Sequence, residues 1–136
     1  MRMKVFITGS REANQAMISK VHEVVSWCFN EAHYILVGDA PGVDQAVREA
    51  VAAAEPGVIC DVYGAYGQIR GPRPDTDAII IYHKSKPSCT YQQRDEYLLK
   101  HADLVVAIWN GSSPGTLRNI QRAKELGKRV IVRKFT

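Results

Sequence analysis

Apolar positions along the chain follow two rhythms. Short continuous runs alternate with longer stretches in which apolar residues return every third or fourth position, the spacings of buried strands and amphipathic helices. Lys4–Thr8 (KVFIT) is a run of the first kind and ends in Gly9-Ser10, a strand giving way to a turn. Asn14 to Ala32 carries Met17, Ile18, Val21, Val24, Val25, Cys28 and Phe29 on one helical face. Tyr34–Val37 (YILV) predicts a second strand, broken by GDAPG. Val43, Ala46, Val47, Ala50, Val51 and Ala54 predict a second helix, stopped by Pro56-Gly57. Val58–Tyr63 (VICDVY) is a third strand.

The middle, Gly64 to Thr90, is rich in Gly, Pro and basic residues, with Ala78–Tyr82 (AIIIY) as an island of strand character. That island reads as an extra or edge strand, and its flanks as loops long enough to cover a site. Arg94 to Ala102 predicts a short helix with Tyr97, Leu98 and His101 turned inward. Asp103–Trp109 (DLVVAIW) is the most strand-like run. Leu117 to Leu126 predicts the last helix, ended by Gly127, and Arg129–Arg133 (RVIVR) the last strand. Strands alternating with helices imply βαβ units, and apolar runs without in–out alternation fit strands covered on both faces. The expected fold is α/β: a single three-layer Rossmann-like domain spanning residues 1–136, with 64–90 as a variable insert or lid.

Composition narrows the class. The 136 residues are 46% hydrophobic and 8% aromatic, as in a globular α/β protein. No apolar run approaches the roughly 18 residues of a membrane span, so no membrane partner is expected. The N-terminal apolar run is shorter than the ~7–15 residues of a signal-peptide core. Cys28, Cys60 and Cys89 are odd in number and widely spaced, which favours reduced thiols and a cytoplasmic location over a disulfide framework or zinc site. His22, His33, His83 and His101 form no ligand spacing, so neither metal nor cofactor is expected. The net charge of +4 suits nucleic acid, a small anion or a solvated surface equally. No arginine-rich tail or interleaved aromatic stripe singles out nucleic acid.

The candidate chemistry lies in three turns, each after a strand and before a helix: TGSR (Thr8–Arg11), GDAPGVD (Gly38–Asp44) and NGSSPGT (Asn110–Thr116). In open parallel sheets ligands bind beyond the C-terminal strand ends, where helix N-termini offer unpaired N–H groups to an anion. The candidate ligand-binding set is Gly9, Ser10, Arg11, Gly38, Asp39, Gly42, Asp44, Arg94, Asn110, Gly111, Ser112, Ser113, Gly115 and Thr116. Each turn also has a plainer reading. Gly9-Ser10 can simply start a helix, and Asp44 can be an N-cap or first-turn acid. NGSSPGT holds more small and hydroxyl residues than a cap needs. Arg94, at the start of its helix, opposes the dipole, which points to a ligand or an ion pair; Asp95 and Glu96 supply such a network or first-turn acids. Tyr66, Tyr82 and Tyr91 can stack on a base or pack in the core. Neither Walker A nor GxGxxG is present, which disfavours a standard ATPase or dehydrogenase.

In this order, ITGSR, GDAPGVD, QQRDEYLLKHADLVVAIWNG and SPGT resemble the SLOG superfamily of Rossmann-like nucleotide-binding proteins, which includes lonely-guy phosphoribohydrolases and the Rossmann domain of DNA-processing protein A. The resemblance spans the chain except about Gly64–Cys89. It implies a nucleotide or nucleotide-derived ligand and, since relatives often form dimers, a homo-oligomer. The superfamily's hydrolases pair an Arg with a Glu in PGGxGTxxE. Arg94 matches the Arg, but Gly111-Ser112-Ser113 replaces PGG and Asn119 stands at the Glu position. An amide neither carries negative charge nor takes a proton. Binding or sensing without catalysis is therefore the expectation. The alternatives are an N-glycosidase drawing a carboxylate from Asp39, Asp44, Asp95 or Glu96, and a DNA-processing-A-like nucleic-acid binder.

Overall fold

A computed structural model describes residues 2–54 and 57–136. Six strands form one parallel sheet: β1 (Lys4–Gly9), β2 (Tyr34–Gly38), β3 (Ile59–Tyr63), β4 (Ile79–His83), β5 (Leu104–Trp109) and β6 (Arg129–Lys134). Their spatial order is β4-β3-β2-β1-β5-β6. Four helices cover it: α1 (Gln15–Asn30), α2 (Val43–Ala53), α3 (Tyr91–His101) and α4 (Pro114–Glu125). The chain builds outward from β1 to β4, then α3 returns it to β5 on β1's other side. The reversal of direction falls between β1 and β5, where their C-terminal ends part and leave a crevice.

Burial follows from the period-2 alternation of strands. Val5, Ile7, Ile35, Val37, Val106 and Ile108 enter a large cluster with α1 and α2, while Phe6, Leu36 and Val105 enter a smaller one with α3. In the central strands β1, β2 and β5 successive residues are buried on both faces, which is why these strands read as unbroken apolar runs.

Three expectations are corrected. The third helix begins at Tyr91, ahead of Arg94, because Thr90 and Gln93 form a reciprocal capping box. On that helix Leu98 and Leu99 are the buried pair, while Tyr97 and His101 stack on each other outside the core. The last helix begins at Pro114 rather than Leu117, since proline suits the first helical position, where no N–H bond is lost. The second helix ends at Ala53; Pro56, its expected stop, lies outside the described residues. The AIIIY island is a parallel edge strand. The strap before it is tied down by Thr76, whose hydroxyl donates to the Ala52 carbonyl at 2.7 Å. All three cysteines are free thiols. Among the described residues no helix is long and apolar enough to cross a membrane.

Candidate functional site

The three turns meet at the β1/β5 crevice, and Ser10 joins them. Its N–H donates to the Ile108 carbonyl, its carbonyl accepts from the Val43 N–H, and its hydroxyl accepts from the Asn110 N–H at 3.0 Å. Ser10 is fully buried. Two glycines permit this closeness. A Cβ on Gly9 would strike the Ile108 carbonyl and Val43. Gly42, at φ +77°, caps α2 with no room for a Cβ against the Ser10–Arg11 backbone.

Beside this knot lies a cavity of about 390 Å³, walled by Thr8, Gly9, Arg11, Asp44, Arg70, Tyr91, Arg94, Asp95, Asn110, Ser113, Gly115, Thr116, Arg118 and Asn119, among others. Its floor is the N-terminus of α4. Within NGSSPGT the backbone donors divide into two groups. The Asn110 carboxamide oxygen accepts from the Ser112 and Ser113 N–H groups, both at 2.9 Å, a local turn that consumes them. Ser113 gives α4 no side-chain cap, and the first helical bond is from Leu117 to the Ser113 carbonyl. Among the described residues the N–H groups of Gly115 and Thr116 thus have no acceptor and border the cavity. Arg11 and Arg118 flank it, and among the described residues neither makes an ion pair.

The opposite wall is a buried ion-pair network. Arg94 donates through Nη1 to Asp39 at 2.9 Å and to the Tyr63 carbonyl at 2.8 Å, and through Nε to Asp95 at 2.7 Å. Asp39 also accepts from the Arg70 N–H at 2.7 Å and its guanidinium at 2.9 Å. Burial works to raise the Asp39 carboxyl, but the bonds from Arg70 and Arg94 outweigh it and hold it below the usual carboxylate range. Asp44 differs. Its carboxylate accepts only the Ala40 N–H, at 3.2 Å, and burial pushes it up to about 7 against the pull of Arg94. The Asn119 amide donates to the Thr8 hydroxyl and to Asp95, both at 3.1 Å. This amide is held as a donor between two oxygen acceptors.

The structure therefore brings Gly9, Arg11, Asp44, Arg94, Asn110, Ser113, Gly115 and Thr116 to one cavity. It places the other six expected residues behind it. Ser10 and Gly42 lock the turns, Asp39 anchors Arg70 and Arg94, and Gly38 packs against Asp44 and Arg94. Ser112 bonds Asn110, and Gly111, at φ +87°, turns the loop beside Lys134. Sequence reasoning missed Arg70 as a wall residue. Arg70 lies in the Pro/Gly-rich strap, reaches Asp39 across 31 positions and stacks over Tyr91 at 4.2 Å. No local signal marks that pairing. Arg48 was also missed: it is buried on α2, and its Nη1 donates to the Gly38 carbonyl at 3.1 Å and the Ala40 carbonyl at 3.3 Å, bracing the second turn. Of the three tyrosines, Tyr91 lines the cavity, Tyr82 packs on the core and Tyr66 is exposed.

No family model matches the sequence, and no curated protein sequence matches it either. Solved structures do resemble it. The molybdenum cofactor binding protein of Rippkaea orientalis superposes with a TM-score of 0.79 at 17% identity, over 100% of this chain and 78% of that one. The chain shares the Rossmann-like α/β fold of that protein. The Moco carrier protein of Chlamydomonas reinhardtii gives a TM-score of 0.72 at 16% identity, covering 97% and 76% of the two chains. DNA processing protein A of Streptococcus pneumoniae gives 0.73 at 20% identity, covering 96% of this chain and 50% of its own. At these identities the likeness is one of fold, and the ligand has to be argued from the cavity.

Proposed function

We propose that the protein binds a phosphate-bearing nucleotide or nucleotide-derived small molecule at the β1/β5 crevice and does so without turning it over. The observation that carries this reading is the uncapped α4 N-terminus. Gly115 and Thr116 line the cavity with Arg11 and Arg118, and among the described residues their N–H groups have no acceptor. Unsatisfied helix N–H groups backed by the dipole and two cations favour an anion held by charge-assisted bonds. Tyr91, under Arg70, offers a flat wall for a ring on the far side. Two structural neighbours carry or bind molybdenum cofactor, which places small-ligand binding among the uses of this fold.

Absence of turnover rests on Asn119. A glycosidic bond breaks with help from a carboxylate that supports oxocarbenium character. The Asn119 amide instead donates to Asp95, and Asp95 is already bonded to Arg94. Asp39 is sealed behind Arg94, and Glu96 is held by Arg122 on the α3–α4 groove. Of the four alternative carboxylates, Asp44 and Asp95 line the cavity.

The test is thermal unfolding against nucleotides, cyclic and ADP-ribose derivatives, molybdenum cofactor and short oligonucleotides. A ligand at about a hundred times its dissociation constant stabilises the folded state by ~2.7 kcal/mol. Thr116→Glu is the matched control. A carboxylate at this position, beside the open Gly115 and Thr116 N–H groups, suits the positive end of the helix dipole and competes with an incoming anion for the same donors. Losing two charge-assisted bonds of ~1.5 kcal/mol each weakens binding about 100-fold. Unchanged affinity in Thr116→Glu removes α4 as the phosphate site. Chromatography of the bound ligand separates holding from hydrolysis, and stabilisation by oligonucleotides alone moves the assignment to nucleic acid.

A further inference from the structure

The two edges of the sheet are built differently. β6 carries Arg129, Arg133 and Lys134, charges that keep a strange strand from adding to it. β4 has no charge from Ala78 to Tyr82, and Ile79 and Ile81 are 50% and 44% exposed. On the other face of β4, Ile80 and Tyr82 pack against the α1/α2 cluster. Ile79 and Ile81 lie on the face shared with His83, which stacks on Tyr63. An all-parallel sheet is normally covered on both sides, and long uncharged edges are templates for another strand.

The backbone of β4 shows how a strand would add. The Gly64 N–H donates to the His83 carbonyl, so odd-numbered residues direct their polar groups to β3. Ile80 and Tyr82 therefore direct theirs to the open edge, by the alternation of a strand.

The charges at the ends of the strand identify the occupant. Asp75 and Asp77 precede the apolar run, and Lys84 and Lys86 follow it. All four are exposed, and among the described residues none forms an ion pair. An acidic start and a basic finish make the strand complementary to its own reverse, the condition for a two-fold contact. We propose that β4 is a self-association edge, on which a second copy of this chain adds its own β4 antiparallel about a two-fold axis at Ile80. In that register Ile80 N–H meets the partner copy's Ile80 carbonyl and Tyr82 N–H the partner copy's Ala78 carbonyl. Ile79 falls opposite the partner copy's Ile81 on one face, the closely spaced kind of antiparallel pair. Asp75 and Asp77 come alongside the partner copy's Lys84 and Lys86 at each end. The cavities lie at opposite rims of the joined sheet, so each copy keeps its own.

Sedimentation velocity of the full chain, from low to high micromolar concentration, tests this together with two variants. The wild type is expected to dimerise, and Ile81→Lys, at an exposed position, to raise the dimer dissociation constant by at least ~10-fold. The cysteine variant Ile79→Cys/Ile81→Cys, in a Cys89→Ser background, is expected to give a cross-linked dimer on mild oxidation. A wild type that stays monomeric across the range overturns the proposal. So does a dimer that tolerates Ile81→Lys and leaves the cysteine variant uncross-linked.

Discussion

Replacing Asp44 by asparagine isolates the electrostatic cost of the second turn. Asp44 is 7% exposed, and its one hydrogen bond is from the Ala40 N–H, which an asparagine oxygen also accepts. Burial pushes the carboxyl up to about 7, and Asp95 adds to the push more than Arg48 relieves it. An unfolded aspartate titrates near ~3.9, so between about pH 4 and 7 the folded chain keeps a proton that the unfolded chain has released. Stability contributed at this site is therefore full below about pH 4, falls as pH rises, and levels off above about pH 7. A gap of about 3 pH units corresponds to ~4 kcal/mol. Asp44→Asn carries no ionisation cost and is expected to match the wild type near pH 4 and to exceed it by up to that amount at pH 8. Asp39, held low by Arg70 and Arg94, has the opposite sign: its contribution is present above the unfolded value and is lost as pH falls through the folded one. Both proteins retain that acid limb. Urea unfolding at half-unit steps from pH 4 to 8.5 reads the difference directly. A difference that is flat with pH, or a variant less stable than the wild type at pH 8, refutes the reasoning.

Two further changes probe the opposite wall. Arg94→Ala leaves Asp95 without its guanidinium and Asp39 with Arg70 alone, and a broken buried pair costs about 3–5 kcal/mol. Denaturant titration is expected to show that loss. Asn119→Asp keeps the shape but removes the donors to Thr8 and Asp95 and sets a carboxylate against Asp95. A destabilisation of about 2–3 kcal/mol at pH 7 is expected, shrinking toward pH 4 as the new carboxyl protonates; an equal loss at both values contradicts it.

The layered α/β plan was legible because doubly covered strands leave a simple trace: LVVAIW and YILV are apolar at every position. The convergence of the three turns was legible too, since each pairs glycines with a strand end. Helix starts were less so. Thr90-Gln93 and Pro114 are cap chemistry, read from residues just outside the apolar period. Within the site, the sequence shows which residues are small or charged but not whether a donor is already spent. Ser112 and Ser113 look like phosphate ligands until the Asn110 side chain is seen accepting both N–H groups. Arg70 and Asp39 are paired by a strap whose path follows no periodic pattern.

The same accounting explains why this crevice can be stiff and still receptive. Every polar group of Ser10, Asp39 and Asn119 given a partner here points into the protein, and those partners come from β1, β5, α2, α3 and the strap. A loop held by so many segments cannot fold back to satisfy its own helix end. The Gly115 and Thr116 N–H groups therefore stay unmet because the turn before them is fully occupied, with Asn110 drawn to Ser112 and Ser113 and the Trp109 indole to the Ser113 carbonyl at 3.0 Å. Preorganisation of this kind lowers the ordering cost of binding, since the donors do not have to be gathered when an anion arrives. It also separates two classes of damage. Substitutions in the knot at Ser10, Gly42 or Asp39 are expected to act on stability first, whereas substitutions at Arg11, Thr116 or Arg118 are expected to act on binding of the proposed anion.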